Sequence, residues 1–199
     1  MLNLRGWYAY VISCNHSNLF DDANMIEEIE IRESLPSDVA SIEELYASAF
    51  PDEDLLPLVR ELLREGPIVL SLVGIIDRTL VGHVVFTTCG IAERTDKVSL
   101  LGPLAVAPAW QRQGIGSALV REGLQRLENA GAIQVYVLGD PTYYERVGFE
   151  PEAGVTPPYP LPEAWRGAWQ SISLHKAEQP PRGKLSVPQP WLQPALWAP

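Results

Sequence analysis

The first 26 residues carry little periodicity, and the first interpretable rhythm is the polar–apolar alternation from Glu27 to Glu33, which predicts a half-buried strand. Ser34-Leu35-Pro36-Ser37-Asp38 supplies turn and cap residues, and Val39, Ile42, Leu45, Tyr46 and Ala49 then recur at helical spacing until Pro51. A second amphipathic run through Leu55, Leu58, Val59, Leu62 and Leu63 closes at Gly66-Pro67. Ile68 to Ile76 is apolar and β-branched, Asp77-Arg78-Thr79 is a turn, and Leu80 to Thr88 completes a hairpin. Lys97 to Val106 is a further strand. Residues 113–130 are the clearest helix: Ile115, Ala118, Leu119, Val120, Leu124, Leu127 and Ala130 form one side, and Gly131 stands where a left-handed terminator belongs. Ile133 to Leu138 follows as a buried strand, Thr142 to Val147 as a short helix, and Trp169 to His175 as a late strand. The order βααβββαβαβ predicts an α/β fold with a mixed sheet.

At 199 residues, with 46% apolar and 20% charged, the chain fits a single globular domain of useful core size. Residues 1–26 form an arm outside the pattern, with Met25 an alternative start, residues 27–176 the domain, and residues 177–199 a tail. Eleven of the 18 prolines and four of the six tryptophans follow residue 150. Proline favours irregular chain, and the tryptophans imply that the tail is pinned to an apolar surface of the domain.

Fifteen basic residues against 25 acidic ones give a formal charge of −10. This argues against nucleic acid, whose affinity rests on Lys and Arg neutralising phosphates, and favours a cationic ligand at long range. Cys14 and Cys89 form no CxxC pair, and His16, His83 and His175 are scattered, so no metal site is expected. The longest apolar runs are too short to span a bilayer, and Trp7 to Ile12 makes a poor signal peptide, which together predict a cytoplasmic protein without a membrane partner.

Chemistry concentrates where the strand ending at Val106 runs through a loop with Gly114 and Gly116 straight into the long helix. The first turn of a helix holds N–H groups without internal partners and carries partial positive charge. Glycines there remove the side chains that keep an anion away, and Arg112 adds full charge, so the segment is a candidate cradle for a phosphate or pyrophosphate. The same glycines also suit plain turn geometry. The segment has no Gly-Lys-Ser/Thr of a P-loop, and Leu119 stands where a GxGxxG motif needs its third glycine.

Gln111-Arg112-Gln113-Gly114-Ile115-Gly116 resembles the Q/R-x-x-G-x-G/A signature of the GCN5-related N-acetyltransferases (GNAT). Tyr143-Tyr144-Glu145-Arg146-Val147-Gly148-Phe149 follows in family order and is similar to its YYxxxGF element. Leu101 to Pro108 and Leu138-Gly139-Asp140-Pro141 resemble small bacterial predicted N-acetyltransferases. The detailed match spans about residues 100–150, and element order fits from about 27 to 176. The resemblance implies a mixed, centrally splayed sheet flanked by helices, and acetyl-CoA as acetyl donor with no metal. Main-chain groups of Leu104, Ala105 and Val106 would pair with the pantetheine arm like an added strand. Amides from Gln111 through Ser117 (Gln111, Arg112, Gln113, Gly114, Ile115, Gly116, Ser117) would hold the pyrophosphate. A free group at Val106 would polarise the thioester carbonyl.

By the same resemblance, Tyr144 aligns with the tyrosine that protonates the departing thiolate, while Tyr143 reads as packing. The family asparagine after the fifth strand is replaced by Gly139-Asp140-Pro141, where Asp140 binds an amine or, more simply, caps the next helix. Candidates for the base that deprotonates the amine are His83, Asp140 and the acidic cluster Asp52-Glu53-Asp54. Each also has a plain structural reading. The expected reaction is direct acetyl transfer to a primary amine in a ternary complex. An acyl-CoA sensor of the same fold, and an enzyme acting on a protein N-terminus or lysine, remain the alternatives. Lining the acceptor site, covering it and mediating a homodimer are all open to the tail.

Overall fold

The computed structural model describes residues 29–92, 95–175 and 180–197, so the arm with Cys14 and His16 lies outside the described residues. The chain forms β1 (Glu30–Glu33), α1 (Val39–Ala49), α2 (Leu56–Arg64), β2 (Val69–Ile76), β3 (Thr79–Ile91), β4 (Val98–Val106), α3 (Ile115–Asn129), β5 (Gln134–Leu138) and α4 (Pro141–Tyr144). Then come β6 (Glu150–Pro151), β7 (Val155–Thr156), β8 (Trp169–Ser173) and β9 (Gly183–Ser186). The expected helix over 142–147 divides into α4 and a 3-10 turn, Glu145–Val147.

The main sheet runs β1-β2-β3-β4-β5-β8-β6. Neighbours along it are antiparallel except β4 and β5, which lie parallel. A parallel pair needs a crossover, and α3 supplies it. Alternation along the strands sends Leu72, Val84, Phe86, Val135 and Val137 to the face covered by α3 and α4. Val73 and Ala105 face α1, while Val85, Leu100 and Tyr136 face a core shared with Leu58 and Leu62 of α2. Trp191 and Trp197 are buried in that last core, and β9 pairs with the end of β3 and with β7.

Two features of β4 position the site. Its pairing with β5 stops at Leu101–Val137, although β4 continues to Val106. Its register against β3 also shifts: Phe86 faces Leu101 and Val84 faces Leu104, so Val85 alone opposes Gly102 and Pro103. The extra residue is a bulge, which bends a strand and breaks its ladder locally. Beyond Leu101, β4 and β5 part.

Candidate active site

The main chain of β4 beyond the bulge has one paired edge and one open edge. The Ala107 N–H donates to the Val81 carbonyl at 2.8 Å, and Ala105 lies opposite His83. Alternation in an antiparallel ladder therefore turns Ala105 and Ala107 toward β3 and the main-chain groups of Leu104 and Val106 toward the splay. The Val106 carbonyl is met there by Gln111 Nε2, which donates at 2.9 Å. The N–H groups of Leu104 and Val106 share that edge.

α3 begins beside this open edge. Arg112 and Gly114 take left-handed φ angles of 63° and 79°, turning the loop sharply into the helix. The first intrahelical bond is Ala118 N–H to the Gly114 carbonyl at 2.9 Å, which leaves the N–H groups of Ile115, Gly116 and Ser117 ahead of the ladder. No side chain caps them. Ile115 is buried in the core, so it contributes main chain only, while Arg112 is exposed. Gln113 folds back to donate to the Ala109 carbonyl at 3.1 Å. A Cβ at position 116 would collide with the Tyr143 hydroxyl, so glycine lets α4 lie against the start of α3. The structure thus brings residues 104–106 and 111–117 to one mouth.

Tyr144 is the last residue of α4, the helix that meets the start of α3 through Tyr143. Asp140 Oδ1 accepts the Thr142 N–H at 2.8 Å and caps α4, the simpler of its two expected roles. The Tyr144 ring sits edge-on to Tyr143 at 4.9 Å and to Phe149 at 5.5 Å. It also packs on Gly139, where any Cβ would overlap it. Burial first, then the neighbouring Tyr143 and Asp140, push its phenol well above the usual range, so it holds its proton at neutral pH.

His83, on β3 opposite Ala105, meets Tyr46 of α1 and is completely buried. Ser34 Oγ donates to Ser71 Oγ at 2.7 Å, Ser71 Oγ lies 2.8 Å from His83 Nε2, and His83 Nδ1 lies 3.0 Å from the Tyr46 hydroxyl. Tyr46 in turn donates to the Pro103 carbonyl at 3.2 Å. One assignment satisfies every link: Ser71 donates to Nε2, and Nδ1–H donates to the Tyr46 oxygen. Burial lowers the His83 pKa to about 3, with only slight opposition from Asp38. The ring is neutral, and both nitrogens are occupied.

The acidic cluster stands where α2 begins. Asp54 Oδ1 accepts the Leu56 N–H at 3.2 Å, Glu53 is half-buried and Asp52 is exposed. Among the described residues, no group of three or more His, Cys, Asp or Glu is placed to hold a metal, and no helix is long and apolar enough to cross a membrane. Tyr46, Ser71 and the Gln111 side-chain contact were not legible as site features. Tyr46 reads only as a helix core position, and its partners are 37 and 57 residues away.

The fold is thus a mixed sheet whose β4 and β5 part beside a glycine-led helix start, with α4 packed against that start. The chain belongs to the acetyltransferase (GNAT) family, whose model matches residues 39–149. The curated Escherichia coli (strain K12) protein called uncharacterized N-acetyltransferase YjhQ is 37% identical over 145 residues, covering 69% of this chain and 80% of that one. The crystal structure of the Escherichia coli GNAT family N-acetyltransferase YhbS in complex with CoA superposes with a TM-score of 0.75 and 26% identity, over 90% of this chain and 97% of that chain. A GNAT family acetyltransferase from Brucella melitensis, in complex with acetyl-CoA, gives a TM-score of 0.67 and 30% identity, over 82% and 97%.

Proposed function

We propose that the protein is an N-acetyltransferase that moves the acetyl group of acetyl-CoA to a primary amine by direct attack. The observation that carries this reading is the open edge of β4, with main-chain groups of Leu104 and Val106 unclaimed by β5, set beside the uncapped start of α3. Pantetheine pairs along that edge as an added strand, and the amides and loop from Gln111 to Ser117 hold the pyrophosphate, with Arg112 adding charge from the surface. The relatives bound to CoA and acetyl-CoA support this placement.

The amine arrives as an ammonium, releases a proton to water and attacks the thioester carbonyl carbon. The carbonyl oxygen gains charge as the C–N bond forms, and an N–H on the open edge of β4 stabilises it. The C–S bond then breaks. Tyr144 gives its proton to the sulfur and recovers one from the attacking nitrogen through water. His83, neutral and enclosed, is left out of proton transfer in this scheme. The formal charge of −10 favours cationic acceptors.

The test pairs calorimetry of CoA binding with release of free thiol from acetyl-CoA across polyamines, amino acids, aminoglycosides and peptides. Binding with turnover on at least one amine class is expected. Failure to bind CoA refutes the reading, and binding without any turnover makes the protein a sensor instead.

A further inference from the structure

The bulge in β4 creates a peptide group with unusual partners. Opposite Gly102 and Pro103, β3 offers only Val85, so the Pro103 carbonyl lies where the ladder is interrupted. It is met instead by a side chain from the helix layer, the Tyr46 hydroxyl, which donates to it at 3.2 Å. That phenol is held from behind by His83 Nδ1 at 3.0 Å, and His83 by Ser71 at 2.8 Å. Tyr46 is 1% exposed and His83 is 0% exposed, so water has no access with which to replace either partner.

The peptide joining Pro103 to Leu104 is trans, so the Pro103 C=O and the Leu104 N–H point in opposite directions from one rigid plane. Holding the carbonyl therefore aims the N–H. The β3–β4 register independently turns the Leu104 N–H away from β3, into the splay. Hydrogen bonding at the carbonyl also polarises the amide and makes its N–H a stronger donor. Of the two N–H groups on that open edge, the Leu104 N–H lies nearer the vertex, whereas Val106 lies nearer the loop and has its own carbonyl tied to Gln111.

We infer that Tyr46, anchored by His83, is a positioning residue for acetyl transfer: through the Pro103 carbonyl it aims and strengthens the Leu104 N–H as the donor to the thioester oxygen. This rests on the acetyl-CoA reading above. The buried relay then serves a dipole, and its histidine works by staying neutral. A charged ring would carry an N–H at Nε2, where the neutral ring accepts the Ser71 hydroxyl, and so would break the link that holds the ring from behind.

The test needs no acceptor. Acetyl-CoA labelled with ¹³C at the thioester carbonyl is bound to the full chain and read by NMR. The bound carbonyl is expected downfield of free acetyl-CoA, and Tyr46→Phe, which keeps the ring and removes the donor, loses most of that displacement while CoA affinity by calorimetry stays the same. An equal displacement in the variant overturns the inference and leaves the acetyl-CoA reading intact. Absence of CoA binding by the unaltered protein fails that reading itself. A second measurement avoids any folding defect of the variant. In ¹⁵N-labelled unaltered protein, the Leu104 amide proton moves downfield with acetyl-CoA but not with CoA. A response at Val106 and none at Leu104 overturns the assignment.

Discussion

Acidification should erode the contribution of His83 to stability from about pH 6.5 downward. Its ordinary pKa near 6.5 falls to about 3 in the folded protein because burial excludes the charged ring. The unfolded chain therefore takes up a proton below about pH 6.5 that the native state refuses, so the contribution of this residue is complete above that pH and declines as pH falls. The whole gap is worth about 5 kcal/mol at 1.36 kcal/mol per unit. At about pH 5 the loss is about 2 kcal/mol. Asp38 and Glu43 have carboxyls held below their usual range by Arg32 and Arg60, so their contributions fade only at lower pH. The comparison is urea unfolding of the unaltered protein and His83→Gln from about pH 7.5 to about pH 5. At the upper end the variant is less stable by about 1–3 kcal/mol, because Tyr46 and Ser71 lose their shared partner. The difference should narrow by about 2 kcal/mol toward the lower end, since every other titrating group is common to both chains. Parallel stability curves across that interval would refute the claim that the folded protein keeps this ring unprotonated.

Tyr144→Phe should lower turnover on a competent amine by about 100-fold or more while leaving CoA affinity unchanged, as measured by thiol release and calorimetry. Gly116→Ala pushes a methyl into the Tyr143 hydroxyl, so it should weaken CoA binding and cost about 1–3 kcal/mol in denaturant unfolding. Trp197→Ala removes a side chain that is 1% exposed, together with its indole bond to the Trp191 carbonyl, and should cost about 3–5 kcal/mol by the same assay.

What could be read ahead of the structure follows the range of the forces involved. α3 was legible because its apolar side and terminal glycine are local, and β2 through β5 because their apolar runs lie between strong turn residues. The start of α3 falls two residues later than periodicity suggests, since Gly114 is left-handed and outside the helix. β9 was missed: four residues amid prolines carry no alternation, and the strand exists because β3 and β7 offer edges to it. At the site, the loop and the Tyr143-Tyr144 element were legible as motifs. The network through Ser34, Ser71, His83 and Tyr46 was not, because a strand turn, two strands and a helix converge only after folding. A lone histidine on an apolar strand gives no hint of which partners will fill its two nitrogens.

The tryptophans of the second core have an optical consequence. Trp197 stands edge-on to Trp169 at 6.1 Å and to Trp191 at 6.2 Å, and Trp169 stacks on Tyr136 at 5.5 Å. Indoles this close couple their electronic transitions, so the segment carrying β9 writes its own circular-dichroism band. Lifting that segment from α2 and β5 would erase the band while the helical signal of α3 persists, giving the protein an intrinsic, label-free gauge of whether its final turn is seated.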